Sequence, residues 1–279
     1  MRLATVRTDS GTRAVRVEGD EHVDLGVPDV GALLAAPDWP DRAGADGPRS
    51  PAAGSELAPV VPRPGKIVCV GLNYRQHILE MGRGLPEHPT LFAKWSEALI
   101  GPEDEIELAP ESDAVDWEAE LGVVIGRRVR RASEGEAAEA IAGFTVVNDV
   151  TMRDWQYRTM QWLQGKTFEA TTPVGPVLVT PDELPGGVRP TLAITCDVDG
   201  ERVQESHTGD LVFDPVALIQ YVSSIVTLSP GDLIATGTPG GVGHARTPPR
   251  YLSDGARLVT EIQGIGRLDN LARRPASPA

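Results

Sequence analysis

The sequence predicts a mainly β protein with some α-helix, in which one large domain follows a small N-terminal α/β unit. Three observations predict it. Short runs rich in valine, isoleucine, leucine and threonine recur at residues 67–70, 121–125, 144–147, 177–180, 192–198, 233–236 and 258–262. Turn residues separate them, which is the spacing of strands. Helical patterns are few.

Each element has a local reason. Leu3, Thr5 and Arg7, then Ala14, Val15, Arg16 and Val17, suggest a hairpin around Ser10 and Gly11. Residues 37–64 hold seven prolines among glycine, alanine and serine, which reads as a linker and sets a domain boundary at residue 64. A main domain is expected over 65–272 and a flexible tail over 273–279. Within the main domain, residues 74–81 form a two-turn helix with Asn73 as its cap and Gly82 at its end. Ser133 and Glu136 make a capping box for a helix over 133–142. Asp214 caps a helix over 214–224, with Pro215 at its first position. There are no internal repeats.

The chain has 279 residues, enough for a sizeable core, and 41% of them are hydrophobic. Its 26 basic and 40 acidic side chains give a net charge of −14, which disfavours nucleic acid and anionic membranes as partners. Cys69 and Cys196 sit in apolar runs, which suits reduced, buried thiols in a cytoplasmic protein. The first residues lack the apolar stretch of a signal peptide, and no run is long enough for a membrane helix. Only three of the basic residues are lysine: Lys66, Lys94 and Lys166. Where arginine is so favoured, a lysine can mark a need for a compact ammonium.

The most informative stretch runs from Asp116 to Ile125. On a strand alternate residues share a face, so Glu118 and Glu120 point the same way, roughly 7 Å apart. Trp117, Ala119, Leu121, Val123 and Ile125 cover the apolar face. Asp149 ends a second apolar run, 144–147. Carboxylates gathered at the ends of buried strands must share a proton or a cation. Hard oxygens of this kind suit Mg²⁺, Mn²⁺ or Ca²⁺. The same spacing also suits a solvated strand face.

His77 and Glu80 are i and i+3 on the short helix and share a face. A carboxylate beside an imidazole orients it and raises its basicity. With Gly82, Gly84 and Pro86 following, the helix reads either as an active-site lid or as a surface helix with an incidental ion pair.

Six segments in order resemble the fumarylacetoacetate hydrolase superfamily. They are Gly71-Leu72-Asn73-Tyr74-Arg75-Gln76-His77-Ile78-Leu79-Glu80, Asp116-Trp117-Glu118-Ala119-Glu120-Leu121, Asn148-Asp149 through Gln156, Gly165-Lys166-Thr167-Phe168, Pro173-Val174-Gly175-Pro176, and Gly231-Asp232 through Gly243. The likeness spans residues 66–270. It implies a mixed β-sandwich roll, a homodimer, and Mg²⁺ or Mn²⁺ on Glu118, Glu120 and Asp149. It implies a lid bearing His77 and Glu80 and an active-site lysine at Lys166. Thr238 falls where the family binds substrate oxygens; Arg153 and Gln156 match positions near the pocket. Lys94 occupies another family position. Trp117 stands where many members have tyrosine. Leu72 stands where some eukaryotic acylpyruvate hydrolases carry arginine, so Arg75 or Arg83 would supply that charge.

The resemblance implies a small 2-oxo acid as substrate. A metal-dependent hydrolase cleaving a C–C bond in an acylpyruvate is the first reading. An isomerase or decarboxylase of 2-oxo diacids in aromatic catabolism, of hydroxyheptadienedioate or oxaloacetate type, is the second. A metal-binding protein without turnover is the third, and it leaves His77, Glu80 and Lys166 without a use.

Overall fold

A computed structural model describes residues 1–80 and 82–275. Its centre is an eleven-stranded mixed sheet. The order across its middle is Gly11–Glu18, Arg2–Thr8, Thr172–Val179, Ile141–Asn148, Ala119–Ile125, Leu233–Ala235, Ile67–Gly71 and Thr90–Lys94. Most neighbours are antiparallel, but Leu233–Ala235 runs parallel to Ile67–Gly71. A five-stranded sheet contains Ala193–Val198, Glu201–His207, Arg257–Ile262 and Gly266–Arg273. The strands Ala119–Ile125 and Ile141–Asn148 are buried along their whole length, as expected of strands covered on both faces.

The N-terminal hairpin forms with Leu3 opposite Arg16. It does not stand apart: Leu3 also pairs with Leu178, which adds the hairpin to the main sheet. Leu3, Val30, Leu33 and Val60 pack in one core with Cys69, Val124 and Leu233. The boundary expected at residue 64 is therefore no break in sheet or core, because a unit this small buries its apolar side chains only against a larger neighbour. The expected tail also starts too early. Arg273 ends a strand and the Arg274 N–H donates to Asp254 Oδ1 at 3.0 Å. Residues 276–279 of that expectation lie outside the described residues.

The capping box at Ser133 forms, but its helix is Glu134–Glu139, shorter than expected. Ile141 and Ala142 belong to the next strand, where their burial is greater value than two more helical positions. The second capped helix, Pro215–Ile225, has Asp214 accepting from the Ala217 N–H at 2.9 Å. Cys69 and Cys196 are free and buried. Among the described residues no helix is long and apolar enough to cross a membrane.

Candidate active site

Strand register builds the acidic cluster. Ala119 faces Asn148 and Glu120 faces Val147. One step outward, Glu118 faces Asp149, whose N–H donates to the Glu118 carbonyl at 2.8 Å. Glu118 and Glu120 share a face by the two-residue period, and Asp149 joins them from the adjacent strand end. One carboxylate oxygen of each lies within 4.8 Å of the others, and all three are buried. Asn148 fixes the crossing: its Oδ1 accepts the Glu118 N–H at 2.9 Å and its Nδ2 donates to Thr260 Oγ1 at 2.8 Å.

Cations surround most of this charge. Lys166 Nζ lies 2.7 Å from Glu118 Oε2 and 2.8 Å from Asp149 Oδ2. Arg153 reaches Glu118 Oε1 at 2.7 Å and Asp116 Oδ2 at 2.8 Å. Lys94 Nζ lies 3.0 Å from Asp149 Oδ1 and donates to Thr172 Oγ1 and the Lys166 carbonyl. Burial works against the Lys166 ammonium, but the adjacent Asp149 and Glu118 charges outweigh it and hold its pKa above the ordinary value. Burial likewise favours protonated Asp149, yet Lys166 and Lys94 keep its carboxyl below the usual range.

Glu120 differs. Among the described residues no cation reaches it within ion-pair distance; Glu120 Oε2 accepts the Gly237 N–H at 2.8 Å. Burial, reinforced by Asp149 and Glu118, pushes its carboxyl well above the ordinary value. Asp149 Oδ1, near Lys94 but without a well-angled hydrogen bond, is also short of a partner. A hard divalent cation supplies what both lack, so the donor set fits Mg²⁺, Mn²⁺ or Ca²⁺.

Lys166 reaches the cluster because Gly165 precedes it. A Cβ at Gly165 would lie 2.5 Å from Gln156 N and 2.6 Å from Met152 O. Only glycine lets the Leu163–Lys166 turn pack so closely on the turn Arg153–Gln156.

Glu118 forms part of the wall of a cavity of about 310 Å³. His77, Arg153, Gln156, Lys166 and Thr238 also line it, so six of the expected residues meet around one space. Val70, Leu72, Phe92 and Trp162 supply its apolar surface. Arg153 Nη1 donates to Gln156 Oε1 at 2.9 Å. Leu72, in the position discussed above, has a left-handed φ of 56°, a conformation that costs a branched side chain energy.

Arg75 is not on the cavity wall; it is exposed. Two residues along a helix is about 200° around its axis, so Arg75 and His77 face opposite ways. Arg83 lines the cavity in its place. Glu80 also lies off the wall. Its Oε1 accepts from Gln76 Nε2 at 3.1 Å, and it forms no ion pair with His77 among the described residues. Both nonetheless approach Gly240: a Cβ there would lie 3.2 Å from His77 Nδ1 and 3.5 Å from Glu80 Oε2. Burial lowers the His77 pKa; Glu80 and Glu118 oppose that only in part. The imidazole is therefore neutral at physiological pH.

The helix carrying them is Arg75–Glu80; Met81, expected to end it, lies outside the described residues. Asn73 does not cap it. Asp210 Oδ2 accepts the Gln76 N–H at 2.9 Å, while Asn73 bonds Phe213 and the Thr236 carbonyl. At the other end Gly82, with φ 68°, donates to Leu79 O and Arg83 N–H reaches Ile78 O, a Schellman closure.

Asp116 escaped a role in the sequence reading. It is fully buried and accepts from Arg153 Nε and from the N–H groups of Trp117, Gly243 and His244. Its signal was available, since it lies two residues before Glu118 on the same face.

The family model for the fumarylacetoacetate (FAA) hydrolase C-terminal domain matches residues 66–272. The chain is 47% identical over 215 residues to oxaloacetate tautomerase Fahd2a, mitochondrial, of Rattus norvegicus, covering 77% of this chain and 68% of that one. Three solved structures each align over 99% of this chain and 100% of their own. A fumarylacetoacetate hydrolase from Exiguobacterium antarcticum has a TM-score of 0.87 and 31% identity. A 5-carboxymethyl-2-hydroxymuconate delta-isomerase from Mycobacterium smegmatis has 0.81 and 31%. A maleylpyruvate hydrolase from Sphingobium sp. SYK-6, solved with manganese(II) and pyruvate, has 0.80 and 28%. The mixed β-sheet architecture and the matched residues together establish that the chain belongs to the fumarylacetoacetate hydrolase family.

Proposed function

We propose that the protein is a divalent-metal-dependent enzyme that interconverts keto and enol forms of a small 2-oxo diacid of the oxaloacetate type. One observation carries this reading: the half-buried His77 imidazole, whose pKa burial lowers, lines one cavity with Glu118, Lys166 and Arg153, which are tied into ion pairs. A proton carrier beside a wall of fixed charge is what enolisation needs.

Glu118, Glu120 and Asp149 would hold Mg²⁺ or Mn²⁺, which when bound supplies Lewis acidity toward the 2-oxo and carboxylate oxygens of the substrate. The imidazole of His77 takes the proton from the carbon beside the 2-oxo group and delivers a proton to the 2-oxo oxygen, which completes the enol; ketonisation runs the same two transfers in reverse. Arg153, steadied by Asp116 and Gln156, and the Thr238 hydroxyl bind the substrate's oxygens at one end of the cavity. Arg83, which has no ion pair among the described residues, supplies positive charge for the distal carboxylate. Glu80 steadies His77 once the helix closes. The small cavity suits a four- or five-carbon diacid.

The 47% identity to a protein named as an oxaloacetate tautomerase supports this reaction over C–C hydrolysis. Hydrolysis of an acylpyruvate is the second reading, favoured by the two structural relatives named as hydrolases. Two buried free thiols support a reducing compartment, the cytoplasm or, as in the named relative, the mitochondrion. The deciding experiment follows enol-to-keto conversion of oxaloacetate and, in parallel, incorporation of labelled water oxygen into acids released from a panel of acylpyruvates, each with Mg²⁺ or Mn²⁺. Rapid tautomerisation without label incorporation supports the first reading. Label incorporation with no effect on oxaloacetate overturns it.

A further inference from the structure

Gln204 belongs to none of the six recognised segments; it lies in the five-stranded sheet, and only 2% of its surface is exposed. Its amide is bonded at both ends. Gln204 Oε1 accepts the N–H of Ala119, the residue between Glu118 and Glu120, at 3.0 Å. Gln204 Nε2 donates to the Pro239 carbonyl at 3.0 Å and to Thr238 Oγ1 at 2.8 Å. These partners leave no freedom to flip the amide. A backbone N–H can only donate, so it must meet the oxygen; a carbonyl can only accept, so it must meet the nitrogen.

The consequence falls on Thr238. A hydroxyl can donate or accept. Here the Gln204 amide can only donate, so Thr238 Oγ1 is held as an acceptor on that side. Among the described residues the Thr238 proton has no acceptor of its own, and the side chain lines the cavity. We infer that Gln204 is a positioning residue that fixes the Thr238 hydroxyl as a hydrogen-bond donor into the cavity, where it selects an anionic, acceptor-only oxygen such as that of a carboxylate or enolate. The same amide ties this donor to the strand that carries Glu118 and Glu120, so the acidic cluster and the oxygen-binding loop keep one spacing. The inference rests on the reading of the cavity as a 2-oxo acid site.

Oxalate, an acceptor-only mimic of a pyruvate enolate, tests it. Its affinity is measured by calorimetry on the full chain with saturating Mg²⁺, for wild type, Thr238→Val, Thr238→Ser, Gln204→Glu and the double variant Gln204→Glu/Thr238→Val. Gln204→Glu keeps the acceptor for Ala119 but turns the donor into an acceptor, which draws the Thr238 proton away from the cavity. Thr238→Val and Gln204→Glu should each weaken oxalate about tenfold or more, the usual worth of a hydrogen bond to a charged group. Thr238→Ser should bind as wild type. The double variant should bind no more weakly than Thr238→Val, and Mg²⁺ affinity in the absence of oxalate should stay within a few-fold. Should Gln204→Glu not fold, Gln204→Met removes the fixed donor and leaves the Thr238 hydroxyl unpinned, so oxalate should bind more weakly than to wild type but no more weakly than to Thr238→Val. Additive losses in the double variant, or a Gln204 variant that binds oxalate normally, would overturn the assignment and leave the cavity reading intact. Wild-type protein that does not bind oxalate with Mg²⁺ would overturn both.

Discussion

Glu118 and Asp149 face each other across two antiparallel strands, and a single ammonium, Lys166 Nζ, lies 2.7 Å from one carboxylate and 2.8 Å from the other. Glu120, beside them, has no such partner among the described residues. The cluster is thus asymmetric: two neutralised carboxylates and one that calls for a cation.

Glu120→Gln should therefore lose Mg²⁺ and Mn²⁺ affinity by well over tenfold while leaving thermal stability in EDTA nearly unchanged, because burial already favours the protonated, neutral carboxyl when no metal is bound. Calorimetry and melting curves read the two effects. Unchanged metal affinity would contradict the placement of the metal.

Lys166→Met should lower stability. It leaves Glu118 and Asp149 buried with fewer counter-charges, so the metal-free protein should melt several degrees lower. Added Mn²⁺ should raise its melting temperature more than that of wild type, since the ion restores the missing charge. A metal-free melting temperature equal to wild type would contradict the bridging role.

Because burial lowers the His77 pKa from its ordinary 6.5, the base form persists to lower pH. Activity that needs neutral imidazole should be full above that value and fall only as pH drops below it. The acid limb of kcat/KM at saturating Mg²⁺ should inflect below 6.5. An inflection above it would contradict the burial of the ring.

Asp210 caps the Arg75–Glu80 helix from the 3₁₀ turn Thr208–Asp210, distant in sequence. Asp210→Ala should cost about 1 kcal/mol of local stability. Hydrogen exchange in residues 75–80 should speed up and turnover should fall several-fold, with Mg²⁺ affinity unchanged. Exchange as slow as in wild type would show that the cap does not hold this helix.

What the sequence disclosed follows from locality. The alternation from Trp117 to Ile125 is a property of consecutive residues, so the shared face of Glu118 and Glu120 could be read directly. The capping box at Ser133 is equally local. That Asp149 sits opposite Glu118 depends on strand register, which the order of motifs suggested but spacing could not supply. Asp210 and Gln204 act across 134 and 85 residues of chain, and no local pattern marks such bonds. Asn73 looked like a helix cap because asparagine suits that position. Its amide instead pins the Thr236 and Phe213 backbones, where burial makes unpaired groups costly. Nothing local separates Arg75 from Arg83 as the source of positive charge; helical phase turns Arg75 outward, and Arg83 lines the cavity.

The central claim is that His77 moves the proton. The most direct measurement is the rate of enol-to-keto conversion of oxaloacetate by wild type and His77→Ala, each with saturating Mg²⁺ and in EDTA. Wild type should accelerate the conversion only with the metal. His77→Ala should lose about 10²–10⁴ of that rate while keeping Mg²⁺ and oxalate affinity within a few-fold. A His77→Ala enzyme as fast as wild type, or a wild type no faster than buffer with saturating Mg²⁺, would contradict the account.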